Sequence, residues 1–198
     1  MIDWRNRPHA RRDLLWAGFW VPLAFAGAGT SSAWAQQTLP STPACSEASP
    51  AETEGPYFKP QSPERTSLIE PDMAGTKLVL TGYVLSTACQ PVAHALLDFW
   101  QADERGVYDN AGFRMRGHQF TDERGRYALE TIVPGVYTGR TRHIHVKVQP
   151  PRGRLLTTQL YFPDEPRNAR DSLFQPKLLI AIGSDAPAKL GRFDFVTA

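Results

Sequence analysis

The sequence predicts an all-β protein, an antiparallel β-sandwich with an irregular N-terminal arm. Apolar and polar residues alternate over short segments, and turns rich in Gly and Pro separate these segments. No stretch shows the 3.6-residue apolar repeat of a convincing amphipathic helix. Short strands with this punctuation are typical of two packed antiparallel sheets. The predicted strands are Leu78–Leu85, Ala95–Trp100, Arg126–Ile132, Ile144–Val148, Leu155–Phe162, Lys177–Ile182 and Arg192–Val196.

Residues 1–35 have the features of an export signal. A basic start that includes the pair Arg11-Arg12 precedes an uncharged, largely apolar run over residues 14–28. The pattern Ala33-Trp34-Ala35 marks a cleavage site before Gln36, and the arginine pair is typical of twin-arginine export. The apolar run is shorter than the about 20 residues that a membrane-spanning helix needs. We therefore expect a periplasmic or secreted mature protein without a stable membrane span.

The charge of the chain gives no support for a nucleic-acid partner. The formal net charge of the whole chain is +2, and Arg5, Arg7, Arg11 and Arg12 all belong to the predicted signal, so the remaining chain is not basic. That remainder is long enough for one ordinary domain with its own core. We predict three parts: a signal at 1–35, an arm or loop at 36–75 and a β-sandwich domain at 76–198.

The predicted arm is rich in Pro, Ser, Thr and Glu and has no sustained apolar repeat. It contains an abrupt aromatic pair, Tyr57-Phe58, which we expect to dock on the sandwich. Cys45 and Cys89 are the two cysteines of the chain, and export would place them where disulfides persist. They are candidates for a disulfide between the arm and the first strand region, with two unrelated buried thiols as the alternative.

His143 and His145 are the clearest chemical signal in the sequence. Side chains two residues apart in a strand project from the same face, and neutral imidazole is the commonest metal ligand. Tyr137 precedes the pair by six residues and could add a phenolate oxygen, and Tyr108 lies in a polar loop, where sites are often carried. The alternative for all four residues is structural: a polar strand face and two ordinary loop tyrosines.

Four segments resemble the intradiol ring-cleavage dioxygenase family, which includes the protocatechuate and catechol dioxygenases. They occur in the family's order and at nearly its spacing, and they cover most of the chain after the signal. A further segment, TEGPYF at residues 53–58, resembles the family's N-terminal arm. The resemblance implies a transthyretin-like sandwich of the intradiol dioxygenase type. The four segments are DFWQADERGVYD (98–109), TDERGRYALETIVPGVY (121–137), RTRHIH (140–145) and LLTTQLYF (155–162).

The resemblance implies one non-haem Fe(III) per chain, bound by Tyr108, Tyr137, His143 and His145. Charged phenolate oxygens favour ferric iron, and imidazole also suits iron. The reactants would be a small aromatic diol and O2, and cleavage between the two hydroxyl-bearing carbons would give a cis,cis-muconate-type diacid. Tyr137 would also act in catalysis, because it leaves the metal as the catechol binds and loses its protons.

The same resemblance assigns residues around the substrate. Arg140 matches an arginine placed against the substrate ring, where a fixed cation stabilises developing negative charge. A surface salt bridge is the alternative role for this arginine. Gln159 matches a glutamine that hydrogen-bonds the substrate. Gly55, Pro56 and Tyr57 are candidates for the wall of the substrate pocket.

Two other functions fit parts of the sequence. A non-catalytic, transthyretin-like binding module of the periplasm would share the fold and its turn motifs, but it has no reason to carry the two tyrosines, two histidines and Arg140 together. A copper or zinc site on His143 and His145 would leave both tyrosines unexplained. The sequence does not identify the particular catechol, hydroxyquinol or protocatechuate-like substrate, and it is compatible with a homo-oligomer.

Overall fold

Nine β-strands and two short 3₁₀ helices form the regular structure of the described residues. The structure is a computed structural model that describes Cys45 and residues 47–185 and 188–198; the predicted signal therefore lies outside the described residues. No helix in these ranges is both long and apolar enough to cross a membrane. The 3₁₀ helices are Asn168–Arg170 and Pro176–Leu178. The strands are β1 (Lys77–Ser86), β2 (Leu96–Trp100), β3 (Arg116–Phe120), β4 (Arg126–Ile132), β5 (His143–Gln149), β6 (Leu156–Tyr161), β7 (Ala181–Asp185), β8 (Ala188–Arg192) and β9 (Phe195–Thr197).

The strands form two sheets that enclose one hydrophobic core, which confirms the predicted all-β sandwich. One sheet, called the site sheet below, has the order β3-β2-β5-β6, and all its pairs are antiparallel. The opposite sheet has the order β4-β1-β8-β7, and β9 also pairs with β1. Strand β1 runs parallel to β8 and β9, whereas the other pairs of this sheet are antiparallel. The core is built from inward-facing aliphatic and aromatic residues of both sheets.

Strand β3 is absent from the predicted strands, because its inward side carries no apolar side chain. Gly117 and Gln119 pair with Phe99 and Leu97 of β2, which face the core. Neither glycine nor glutamine produces the apolar alternation that reveals a half-buried strand. The strand therefore depends on its neighbour β2 rather than on its own pattern.

The predicted strand Lys177–Ile182 is wrong over its first four residues, because β7 begins only at Ala181. The alternation of Leu178 and Ile180 correctly indicates burial, since both side chains face the core. The backbone, however, forms a 3₁₀ helix at Pro176–Leu178. Proline has a fixed φ and no N–H to donate, which suits the first position of a helix and not a sheet ladder.

The predicted strand Arg192–Val196 is divided between two strands. Strand β8 ends at Arg192 and β9 begins at Phe195. Between them, the Asp194 carboxylate accepts a hydrogen bond from the backbone N–H of Tyr83 at 3.0 Å, a position that a backbone carbonyl would otherwise fill. Gly82 makes this possible, because a Cβ there would lie 1.7 Å from the Phe193 carbonyl oxygen.

Strand β5 is a central strand of the site sheet, and it has one face towards the core and one face outward. Ile144, Val146 and Val148 face the core, so His143 and His145 face outward in the alternation of a strand. Trp100 of β2 and Gln159 of β6 are the partners of His145. Directly opposite residues project from the same side. The outer face therefore carries Trp100, His145 and Gln159 side by side.

The arm packs along this outer face. Glu52 donates its backbone N–H to the Thr157 carbonyl at 2.8 Å, which attaches the arm beside β6. Farther along, the Ser62 hydroxyl donates to the Asp98 carboxylate at 2.8 Å. Cys45 and Cys89 form a disulfide, with their Cα atoms 5.2 Å apart, and this bond ties the start of the described arm to the turn after β1. Residues 53–58 are thereby held over the outward histidines.

Candidate metal centre

Tyr108, His143 and His145 bring three ligand atoms together. The Tyr108 hydroxyl lies 3.1 Å from Nε2 of His143, and this nitrogen lies 3.1 Å from Nε2 of His145. The two imidazole rings are nearly perpendicular, with an interplanar angle of 79°. Two of these atoms come from neighbouring outward residues of β5, and the third comes from the loop after β2.

Burial keeps these groups neutral when no metal is bound. His143 and His145 are only 4% and 3% exposed, and Tyr108 is 6% exposed. Desolvation lowers the pKa of His143 to about 4 and the pKa of His145 well below its usual value. Burial likewise raises the pKa of the Tyr108 phenol. Both histidines therefore present a neutral ring, the form that binds a metal.

The tautomer of His143 is fixed by its backbone neighbour. Nδ1 of His143 lies 2.7 Å from the carbonyl oxygen of Thr141, and only a protonated Nδ1 can donate to that oxygen. In the neutral ring, Nε2 then carries a lone pair directed at Tyr108 and His145. A hydrogen bond from the second ring nitrogen to a carbonyl is the usual support of a ligating histidine.

The donor set fits a hard transition-metal ion. Ligands bound at about 2.0–2.1 Å to one ion and separated by roughly 90–100° have donor atoms about 3 Å apart, which matches both 3.1 Å separations. No group of three or more His, Cys, Asp or Glu side chains in the described part of the chain is arranged to hold a metal. A metal bound here would therefore depend on phenolate oxygen, a donor that favours Fe(III).

Tyr137 contacts the same cluster through its ring and through Tyr57. Its ring lies edge-on to Tyr108 with the centroids 5.8 Å apart. Its hydroxyl is 2.8 Å from the hydroxyl of Tyr57. Tyr57 in turn stacks on Tyr108, with centroids 4.5 Å apart and an interplanar angle of 11°. The hydrogen bond to Tyr137 raises the pKa of Tyr57, so Tyr57 stays protonated and can donate to Tyr137.

Two adjoining loops hold Tyr108 and Tyr137 in place. The Asp103 carboxylate accepts the backbone N–H groups of Arg105 and Val107, each at 2.9 Å, and closes the first loop. Gly135 donates its N–H to the Asp103 carbonyl at 2.7 Å and joins the second loop to the first. Gly106 has φ of +81° and its Cβ position lies 2.2 Å from the Val136 carbonyl oxygen, so a side chain there would separate the loops.

The arm covers His145 through Gly55 and packs against Trp100 through Phe58. Gly55 has φ of +71°, and a Cβ at this position would lie 3.4 Å from Cε1 of His145. Pro56 is exposed and connects Gly55 to Tyr57. Phe58 packs edge-on against Trp100, with centroids 5.0 Å apart. Of the residues predicted to line the substrate pocket, Gly55 and Tyr57 thus lie at the candidate metal centre, and the backbone of Gly55 lies over His145.

Trp100 forms the other side of the His145 environment. Its indole stacks on the imidazole, with centroids 4.8 Å apart and an interplanar angle of 5°. Both Nδ1 of His145 and Nε1 of Trp100 are buried without a hydrogen-bond partner among the described residues. The ring of His145 is therefore positioned by stacking, whereas a hydrogen bond positions His143.

Arg140 is fixed by a network that joins it to Gln159. Its Nε bonds both oxygens of Asp171, at 3.1 and 2.9 Å, and its Nη2 bonds Oε1 of Gln159 at 2.7 Å. Gln159 donates its own amide N–H to the Thr53 carbonyl at 3.0 Å, which links the network to the arm. Nη1 of Arg140 has no partner among the described residues. The guanidinium is therefore anchored on one side and free on the other.

Asp171 is the residue of this network that the sequence did not reveal. Burial would raise its pKa, but hydrogen bonds from the N–H groups of Thr141 and Leu173 and from Arg140 outweigh this effect and lower its pKa. The carboxylate is therefore ionised beside Arg140. It lies 31 positions from Arg140 in the chain, in a polar segment without periodicity. Arg142, by contrast, bonds the Pro134 carbonyl at 2.6 Å and pairs with Glu165, which is a structural role.

Comparison with known proteins identifies the family. The family model described as "Dioxygenase" matches residues 53–184, which is two thirds of the chain. The chain belongs to the intradiol dioxygenase family. Among curated relatives, the beta chain of protocatechuate 3,4-dioxygenase from Burkholderia cepacia is 35% identical over 51% of each chain. Hydroxyquinol 1,2-dioxygenase from Rhizobium sp. is 30% identical over 62% of this chain and 50% of its own. The chain thus spans about half the length of the curated relatives it matches.

Solved structures of family members agree in fold over most of the described region. The dioxygenase domain of a dioxygenase carbohydrate-binding protein fusion from Streptomyces sp. SirexAA-E is 57% identical, with a TM-score of 0.74 over 76% of this chain and 97% of that domain. The 3-chlorocatechol 1,2-dioxygenase from Rhodococcus opacus 1CP is 30% identical, with a TM-score of 0.71 over 75% of this chain and 72% of that enzyme. The family-model match over residues 53–184 includes every segment that forms the candidate centre.

Proposed function

We propose that this family member is a non-haem Fe(III) enzyme that cleaves a catechol-type ring with O2 between its hydroxyl-bearing carbons. The product would be a cis,cis-muconate-type diacid. One observation carries the proposal: the hydroxyl of Tyr108 and the Nε2 atoms of two neutral histidines lie at ligand spacing in a buried site. The names of the relatives, which include catechol, hydroxyquinol and protocatechuate dioxygenases, support a catechol-type ring as the substrate class.

In this proposal Tyr108, Tyr137, His143 and His145 hold the iron, one ion per chain. When bound, Fe(III) would withdraw electron density from a catecholate and make its ring reactive towards O2. Because Tyr108 and both histidines are buried, they would shield this side of a bound ion from water. Their burial also explains why the phenol of Tyr108 needs a cation to ionise, since burial alone raises its pKa.

Tyr137 and Tyr57 provide a route for a substrate proton. A catechol must lose its hydroxyl protons as it binds, and the Oη of Tyr137, which would be ionised as an iron ligand, could accept one of them. The hydroxyl of Tyr57, 2.8 Å away, can donate a hydrogen bond to that oxygen before and after the transfer. Stacking on Tyr108 holds Tyr57 in register for this contact.

Arg140 and Gln159 would orient the ring. Asp171 and Gln159 fix the guanidinium through Nε and Nη2, so the free Nη1 provides a preorganised cation for the charge that develops on the substrate. The backbone of Gly55 and the rings of Tyr57 and Trp100 would form the walls, and the absence of a side chain at Gly55 leaves room beside His145.

A spectroscopic experiment tests the proposal directly. The purified chain is analysed for iron, and its visible spectrum is recorded before and after anaerobic addition of catechol. We expect about one iron per chain and a tyrosinate-to-Fe(III) band that moves to longer wavelength with catechol. Oxygen should then yield a muconate-type diacid; hydroxyquinol and protocatechuate tested in parallel would define the substrate. A colourless chain that takes up no iron on reconstitution would overturn the proposal in favour of a binding module.

We also propose that residues 1–35 direct twin-arginine export to the periplasm or beyond. The basis is the sequence pattern around Arg11-Arg12 and the disulfide, which is typical of oxidising compartments. Replacing both arginines by lysine should leave the chain in the cytoplasm of the producing cell, whereas the single substitution Arg7→Lys should not. Unchanged export of the double variant would contradict the twin-arginine assignment.

A further inference from the structure

A groove runs over the outward residues of β1, β4 and β8 in the opposite sheet and reaches β3 at the edge of the site sheet. Its volume is about 570 Å³. We define the groove by six lining residues, which come from β1, β3, β4 and β8. They are Thr81, Tyr83, Gln119, Arg126, Ala128 and Arg192.

Small side chains on neighbouring strands create the groove. Thr81 of β1 pairs with Ala128 of β4 on one side and with Arg192 of β8 on the other. Strands in a sheet are about 4.8 Å apart, so roughly 10 Å separates Ala128 from Arg192. The next outward pair, Tyr83 and Arg126, has long side chains that form a wall. The floor is therefore a shallow strip wide enough for one ring.

One end of the strip carries an unsatisfied amide donor. Gln119 is 4% exposed and points inward from the edge strand β3. Its Oε1 accepts the backbone N–H of Ala128 at 3.3 Å, which fixes the orientation of the amide. Nε2 is then left buried without a hydrogen-bond partner among the described residues, although it borders the groove. A buried donor in this state favours a ligand that brings an acceptor.

The other end carries a second unsatisfied donor beside an aromatic surface. Arg192 bonds the Asp194 carboxylate through Nη2 at 3.0 Å, but its buried Nε has no partner in the described part of the chain. The guanidinium lies over the ring of Tyr83 at 5.8 Å. Phe120, 48% exposed, adds a second ring at the border of the groove. Donors and flat apolar surfaces thus occur together.

The unpartnered donors of the groove, rather than its net charge, favour a ligand that accepts hydrogen bonds, because Arg126 and Arg192 are each paired with a carboxylate. Both arginines line the groove, and the one lining carboxylate, Asp122, is already bonded to Arg126 at 2.8 Å. Both unsatisfied groups are donors. A saccharide, whose hydroxyls donate as well as accept, would also need free acceptors, and the lining carboxylate is engaged. A carboxylate accepts only, and Arg and amide donors suit it.

We propose that this groove is a second ligand site, which binds a small planar carboxylate with an aromatic or conjugated body. The carboxylate accepts from Arg192 or Gln119, and the planar body lies on the floor formed by Thr81 and Ala128 between the rings of Tyr83 and Phe120. The proposal does not depend on the metal centre, because no residue of the candidate metal centre lines the groove.

Titration with benzoate, followed by two-dimensional ¹H–¹⁵N NMR of the iron-loaded chain, tests the site. The backbone amides of Thr81 and Ala128 and the side-chain amide of Gln119 report on the groove, and the visible tyrosinate-to-Fe(III) band reports on the metal centre, because a ferric ion broadens the NMR signals close to it. We expect saturable shifts of the groove signals, whether or not benzoate also reaches the metal. No groove shift up to about 10 mM, where a site with a Kd of about 1 mM would be nearly saturated, would overturn the proposal.

Two variants and one control make the test specific. Ala128→Leu fills the floor and Gln119→Glu replaces the amide donor by a carboxylate, so each should weaken benzoate at least about tenfold. Val79→Leu enlarges an outward residue of β1 two positions before the groove and should leave binding unchanged. Binding that survives Ala128→Leu, or equal shifts with neutral benzyl alcohol or cellobiose, would refute a carboxylate site. Iron content and ring cleavage should be normal in all three variants, which separates this test from that of the proposed function.

Discussion

The two faces of β5 are both buried, but the opposite sheet covers one face and irregular segments cover the other. Ile144, Val146 and Val148 pack against the opposite sheet in a core that requires apolar volume and close fit. His143 and His145 are almost as inaccessible, but irregular segments cover them: the arm and the loops that carry Tyr108 and Tyr137. The inward face stabilises the sandwich, whereas the outward face depends on individual donor atoms. Substitutions on the two faces should therefore fail in different ways.

Removal of one outward imidazole should have the largest effect. We expect His145→Ala to abolish stoichiometric iron binding and ring cleavage, because it deletes one of three atoms at ligand spacing. Elemental analysis and the visible band measure the loss. Circular dichroism should show an intact sandwich, since the ring belongs to no part of the core. Full iron content in the variant would exclude this histidine as a ligand.

Truncation of an inward neighbour should reverse that pattern. Ile144→Ala should lower the free energy of unfolding by about 2–5 kcal/mol through lost burial and a residual cavity, because Ile144 is fully buried in the core. Chemical denaturation measures the change. Folded protein should still bind iron with the wild-type stoichiometry. Loss of iron without loss of stability would show that the two faces are not independent.

Removal of the charge that anchors Arg140 should have an intermediate effect. Asp171→Asn weakens a buried ion pair at 2.9 Å and lets the guanidinium move, so we expect kcat to fall about tenfold or more with iron retained. The positioning role predicts a larger change in kcat than in KM. Glu165→Gln is the matched control, because it removes the partner of Arg142 instead. Equal losses in both variants would indicate general damage to these loops.

Removal of a single hydroxyl on the arm should have the smallest effect. Tyr57→Phe keeps the stacking on Tyr108 but deletes the 2.8 Å hydrogen bond to Tyr137, a loss on the order of 1 kcal/mol. We expect unchanged iron content, a shift of the tyrosinate band and a several-fold slower single-turnover reaction. Phe58→Leu, which alters packing on Trp100 without touching that bond, should leave the band in place.

The parts of the molecule that follow a local period were accessible from sequence. The alternation of β5 alone places His143 and His145 on one face, and the same rule marks β1 and β4. Tyr108 and Tyr137 lie in loops, so family resemblance assigned them where periodicity had no information. Asp171 was not found, because its contact with Arg140 is made only when distant loops meet. Strand β3 and the 3₁₀ helix at Pro176–Leu178 differ from prediction for local reasons, an unpatterned inner face and a proline.

The cover over the candidate metal centre is part of the same chain as the residues it covers. Gly55 and Tyr57 belong to the same chain as the histidines and tyrosines they cover, and the Cys45–Cys89 disulfide closes this arrangement within one molecule. The cover therefore acts at a fixed effective concentration, set by the length of the arm rather than by the amount of protein. Specific activity should stay constant on dilution, whereas a site covered by a second chain would lose activity as its complex dissociates.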